Sequence, residues 1–151
     1  MITFNARHLF ILVRIMQNKF DADLRGGVYS RCKKTRLSVR ELFSFEFIRY
    51  DGSHGLRTSG AEVLERFIGE DGFQSLERMR VLLEIYLGRF DDQLLNGMYD
   101  DTPQLSQAIC DLLDMSLITY DGFHKVSDKG SARVSDFLKS IAPIEAQSKN
   151  H

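Results

Sequence analysis

Cysteine is almost missing from this chain of 151 residues: only Cys32 and Cys110 occur, one in each half, with no Cys-x-x-Cys spacing. That excludes a disulfide framework and a zinc site of ordinary ligand spacing, and it points to reduced thiols in a cytoplasmic protein. Long apolar runs are lacking too. A stretch such as Leu9 to Val13 is far short of the ~20 residues that span a bilayer, so no membrane partner is expected. No basic-then-apolar leader opens the sequence, since Thr3 separates Ile2 from Phe4. Gly26-Gly27 is not a phosphate loop, because no Lys-Ser/Thr follows it. Around His54 and His124 no Ser, Cys or carboxylate pattern recurs as a triad, so neither an enzyme nor a metal or cofactor is expected. Those histidines read better as structural or hairpin-tip groups.

Hydrophobic residues make up 43% and charged residues 27%, enough for a packed core. The dominant feature is a stretch that occurs twice, Tyr50-Asp51-Gly52-Ser53-His54 and Tyr120-Asp121-Gly122-Phe123-His124, at an offset of 70 residues. The same offset pairs Gly60 with Gly130, Phe67 with Phe137, Ile48 with Ile118 and Leu42 with Leu112. It also pairs Phe20-Asp21-x-x-Leu24-x-x-Gly27-x-Tyr29 with Phe90-Asp91-x-x-Leu94-x-x-Gly97-x-Tyr99. Two copies are too few for a solenoid, so the pattern predicts a duplicated small domain. The expected fold class is mainly α with small β-hairpins (α+β), in units of residues 1–70 and 71–142 followed by a flexible polar tail, 143–151.

Within each copy the spacing predicts the same elements. Asn5 and Ser75 are candidate N-caps. Leu9, Leu12, Val13, Met16 and Phe20 then fall at helical spacing, answered by Met79, Leu82, Leu83, Tyr86 and Phe90. Phe10, Ile11 and Ile15 widen the first stripe, which predicts burial on more than one side. A short helix ending at Gly27 or Gly97 comes next. Thr102-Pro103 then starts a helix carrying Ile109, Leu112 and Leu113, with Val39, Leu42 and Phe43 as counterparts. Leu117 to Tyr120 and Phe123 to Val126 read as a hairpin on a two-residue Asp121-Gly122 turn. Its counterpart, Phe47 to Tyr50 returning at Leu56-Arg57, reads as a longer and looser loop because both Gly52 and Gly55 are present. A last helix holds Val63, Leu64, Phe67 and Ile68, or Arg133, Val134, Phe137 and Leu138. Gly69-Glu70-Asp71-Gly72 reads as the linker.

Helix, short helix, helix, hairpin, helix in about 65 residues resembles a winged helix-turn-helix domain. Asp111-Leu112-Leu113-Asp114-Met115-Ser116-Leu117-Ile118 looks like the end of a recognition helix running into the first wing strand. Val126-Ser127-Asp128-Lys129-Gly130 resembles the start of the closing helix in MarR- and PadR-like regulators. The first copy reads Leu56-Arg57-Thr58-Ser59-Gly60, with Arg57 where that pattern has a hydroxyl. The resemblance implies duplex DNA as a partner, gripped by the recognition helix and the wing.

Charge separates the copies. Residues 8 to 68 hold eleven Lys/Arg against seven Asp/Glu, while residues 78 to 138 hold six against ten. Arg31, Lys33, Lys34, Arg36 and Arg40 stand at the start of the first recognition helix by that resemblance, and cations there suit phosphates and guanine edges. Arg57 and His54 fall on the first wing and join them as expected DNA contacts. Asp100, Asp101, Asp111 and Asp114 occupy or flank the second recognition helix, where carboxylates repel phosphate. They predict a protein-binding or self-association surface instead. The expectation is a regulatory DNA-binding protein. Its alternative is a protein-interaction module or small inhibitor, including one that mimics nucleic acid, with no DNA binding of its own.

Overall fold

The computed structural model describes residues 3–27, 33–69, 75–95 and 102–148. Arg31, Cys32, Asp100 and Asp101, together with most of the expected linker, lie outside the described residues. The first half runs α1 (Ala6–Met16), α2 (Phe20–Arg25), α3 (Lys33–Ser44), β1 (Ile48–Tyr50), β2 (His54–Leu56) and α4 (Thr58–Gly69). The second runs α5 (Leu76–Tyr86), α6 (Phe90–Leu95), α7 (Pro103–Asp114), β3 (Ile118–Tyr120), β4 (His124–Val126) and α8 (Asp128–Ser148). The chain is thus mainly helical with two small antiparallel hairpins, an α+β fold. Each element of the second half begins 70 residues after its counterpart. α8 continues through Pro143 to Ser148, into the stretch expected as a polar tail.

α1 begins where Asn5 accepts hydrogen bonds from the backbone N–H of Arg7 and His8, at 3.0 and 3.2 Å. His8 Nδ1 accepts the Asn5 N–H in return at 3.0 Å. That is a capping box with histidine in place of the usual Glu or Gln. Asn18 at φ 59° ends the helix, with Lys19 N–H bonded to Arg14 O and Asn18 N–H to Ile15 O. Asparagine tolerates this left-handed exit better than most residues.

α1 is buried almost all round because α5 packs along it, and the two helices form the centre of one apolar core drawn from both halves. A polar seam crosses this pairing. Arg14 grips Asp23 bidentately at 2.7 and 2.9 Å, and Gln17 donates to Glu77 at 3.0 Å. Arg80 also holds Glu77. Glu84, fully buried, accepts from Arg89, whose guanidinium lies 4.7 Å from the Phe10 ring centre. A second contact joins α4 to α8, where Arg133 caps Phe67 O at 2.7 Å and the Phe67 and Phe137 rings meet at 4.8 Å.

Both hairpins pair in one register, Tyr50 opposite His54 and Tyr120 opposite His124. The two-residue turn expected at Asp121-Gly122 is therefore a three-residue turn, and the looser first loop is equally tight. Gly52 and Gly122 take φ of +99° and +101°, which glycine adopts at little cost. Gly55 is no part of the loop; it sits in β2 beneath the Arg49 guanidinium. Each hairpin is also held from outside, by a contact between its histidine and an aspartate of the preceding short helix.

Candidate nucleic-acid interface

α3 buries Thr35, Ser38 and Leu42 and presents Lys33, Lys34, Arg36 and Arg40 to solvent. At 100° per residue, Lys33 and Arg40 point straight outward, Arg36 leans to one flank and Lys34 to the other. Arg36's flank is that of the hairpin, since Phe43 on the same side lies 6.2 Å from the His54 ring. Lys34's flank faces the start of α1, where Lys34, Leu37, Ser38 and Glu41 line a groove with Asn5 and Arg7. Among the described residues none of these four α3 cations has an ion-pair or hydrogen-bond partner. Arg57 is exposed at the foot of the hairpin, its backbone N–H held by Phe47 O at 2.9 Å. Four cations on one exposed helix face repel one another in the free protein, and a polyanion would relieve that repulsion.

His54 stands differently. Its backbone N–H and its Nδ1–H both donate to the Asp21 carboxylate, at 3.0 and 2.7 Å. Its ring is packed edge-on against Phe20 and Tyr50, at 5.3 and 4.9 Å between centres. The second half repeats this: His124 donates twice to Asp91, at 2.9 and 2.7 Å, between Phe90 and Tyr120. Each pair clamps the short helix to the hairpin and fixes where the return strand begins. Burial works against the charged form of Asp21, but the hydrogen bonds from His54 outweigh it and bring the carboxyl below its ordinary 3.8.

Of the four acidic residues expected to bind protein, Asp100 and Asp101 lie outside the described residues. Asp111, half-buried, accepts from Arg78 at 2.9 Å and from Gln107 at 2.8 Å. Only Asp114 of the four is both described and exposed. The exposed positions of α7 are Pro103, Gln104, Ser106, Gln107, Cys110, Leu113 and Asp114, where α3 has Lys33, Lys34, Arg36, Leu37, Arg40, Phe43 and Ser44. Asp114 is the one exposed carboxylate on this face, which has no cation, and the hairpin of the same half exposes Tyr120 and Phe123, 59% and 63% accessible.

The counterpart of the Arg78–Asp111 tie is His8 with Glu41, at 2.9 Å between Nε2 and Oε1. Because Nδ1 accepts the Asn5 N–H, the proton of neutral His8 sits on Nε2 and is donated to Glu41. Burial lowers the His8 pKa below 6.5 despite Glu41, and the Arg7 charge adds to the lowering. Glu77 falls below 4.5 because Arg80 and Gln17 overcome its own burial. All three shifts have one sign for stability. A depressed folded pKa means that the unfolded chain takes up the proton first, so stability is complete above the unfolded value and declines as pH falls. Urea midpoints should hold above pH 6.5, decline below it through His8, and decline further below about 4.5 as Glu77 and Asp21 protonate. One proton limits the first slope to about 1.4 kcal/mol per pH unit. An unchanged first slope in His8→Gln would overturn the assignment to His8.

Arg7 and the two Asp–His clamps escaped the sequence reading. The clamps had a signal: Asp21 and His54 recur as Asp91 and His124 with the same separation of 33 residues. Arg7 had none, since its counterpart is Glu77. Among the described residues no group of His, Cys, Asp or Glu is placed to hold a metal ion, and no helix is long and apolar enough to cross a membrane. No family model, curated protein or solved structure matches the chain. Function is therefore read from the site's own geometry.

Proposed function

We propose that this chain is a cytoplasmic DNA-binding regulator built of two winged-helix units, and that the first unit holds the duplex. The observation that carries this reading is the exposed face of α3, with Lys33, Lys34, Arg36 and Arg40 unpartnered among the described residues, beside Arg57 at the hairpin foot. The order of helix, short helix, helix, hairpin and helix supports the winged-helix reading, with α3 as the element entering the major groove. The second unit, whose outward helix face lacks cations and whose hairpin exposes Tyr120 and Phe123, serves protein binding or self-association.

The test is a titration of random-sequence duplex at several salt concentrations, read by fluorescence anisotropy. Five cations on five phosphates give a log-log slope of about −4.5. No binding at low salt would remove the DNA reading and leave the alternative of a protein-interaction module.

A further inference from the structure

We propose that Arg7 and Lys34 form a phosphate site across the groove between α1 and α3. It receives a backbone phosphate of the duplex on the side of α3 opposite the hairpin. This inference rests on the DNA reading above and adds a contact which that reading does not contain.

Three observations carry it. First, Arg7 and Lys34 line one groove from two different helices, α1 and α3. Second, Arg7 Nε is shut off from solvent and has no hydrogen-bond partner among the described residues. The guanidinium is thus not committed to a partner among the described residues, and its terminal N–H groups are left for an anion in the groove. Third, the one carboxylate in the groove, Glu41, already accepts from His8. With His8 neutral, the groove carries two cations against one anion.

The second half lacks this arrangement. Glu77 stands in place of Arg7 and is engaged by Arg80 and Gln17, while Gln104 stands in place of Lys34. The two-cation groove therefore belongs only to the half with the basic helix face. The site does not depend on the helix end itself, because Asn5 already accepts the Arg7 and His8 backbone N–H groups.

The location suits a duplex. A helix about 10–12 Å across fills a major groove about 12 Å wide, so phosphates of both strands flank it. The hairpin flank of α3 offers Arg36 and Arg57 to one rim. The α1 flank offers Lys34 and Arg7 to the other.

Salt-dependent duplex titration of Arg7→Gln and Lys34→Gln tests the proposal. Lys34 already counts among the cations of the DNA reading, so Arg7→Gln decides, and Arg7→Lys, which keeps the charge, should keep the wild-type slope. Each glutamine variant should reduce the magnitude of the log-log slope by about 0.9, which is about an eightfold loss at 0.1 M salt relative to 1 M, equally for all duplex sequences. In parallel, the Arg7 Nε–H resonance should move on adding duplex. If wild type binds duplex and Arg7→Gln keeps its slope, the site is wrong although the DNA reading stands. If wild type binds no duplex, the DNA reading fails and takes the site with it. If the Arg7 resonance answers inorganic phosphate while the duplex slope ignores Arg7→Gln, the groove is a free-anion site and the backbone assignment is overturned.

Discussion

Alanine at Gly130 should cost this protein on the order of 3–5 kcal/mol and leave the second half unfolded at temperatures where wild type is intact. A Cβ built there lies 2.0 Å from Leu117 O and 2.9 Å from Leu117 C, both backbone atoms that no rotamer change can move aside. The first turn of α8 must then back away from the chain entering β3, although Ser127 ties the two together. Its Oγ donates to Ser116 O and accepts the Gly130 N–H. Gly60 is equally constrained, its Cβ position lying 2.2 Å from Phe47 O. There Arg57 supplies no hydroxyl, and Ser59 Oγ reaches Glu46 O at 2.7 Å in its stead. Gly69→Ala is the control: nothing lies within 4 Å of its Cβ position, so alanine in that helical turn should be neutral or stabilising by up to about 1 kcal/mol. Urea denaturation of the three variants decides the matter. A Gly130→Ala protein within 1 kcal/mol of wild type, on the scale of about 1–3 kcal/mol that overpacking usually costs, would refute the close-approach account.

The double variant Arg36→Ala/Arg40→Ala should lose roughly 30-fold to 10⁴-fold in duplex affinity, on the basis of about 1–3 kcal/mol for each arginine that reads a base edge. The two side chains lie on the outward and hairpin-facing parts of α3, four residues apart, and neither contributes to the core. Folding stability should therefore stay within about 0.5 kcal/mol of wild type, as for other exposed positions. Loss of discrimination between duplex sequences would mark base reading. A uniform loss accompanied by a slope reduced by about 2 would mark phosphate contact alone. Asp114→Ala should leave affinity unchanged, because Asp114 is exposed on the cation-free helix face of the other half. A double variant that binds as wild type does would exclude α3 as the contact surface.

Much of the fold was legible because it is local. Asn5 and Thr102 signalled helix starts, and each side chain does accept a backbone N–H in the first turn. The apolar stripes of α1 and α5 followed from spacing alone. The hairpin turns were misread because Asp-Gly marks a turn without fixing its length. Here the first residue of each return strand is held by Asp21 or Asp91, 33 residues before the histidine it bonds, a contact that local reading of the turn does not contain. The charge contrast was half legible. Counting signs located the basic helix, yet it could not reveal that Arg78 engages Asp111 or that α7 is almost uncharged outward. Arg7 was missed for a similar reason: its importance comes from the groove it shares with Lys34, which only tertiary packing creates.

The α1–α5 pairing has a consequence for how the protein behaves on dilution. Two-fold DNA-binding dimers fall apart as concentration drops, and each half must then keep the same sequence to rebuild the pair. Here both partners of the central helix pair belong to one chain, so their effective concentration is fixed by the connection and does not fall with the sample. Their polar seam is made of unlike groups, Arg14, Asp23 and Gln17 on one side against Glu77, Arg80 and Glu84 on the other. A contact that never has to pair with its own copy is released from self-complementarity. That release lets one outward helix keep its cations while the other has none.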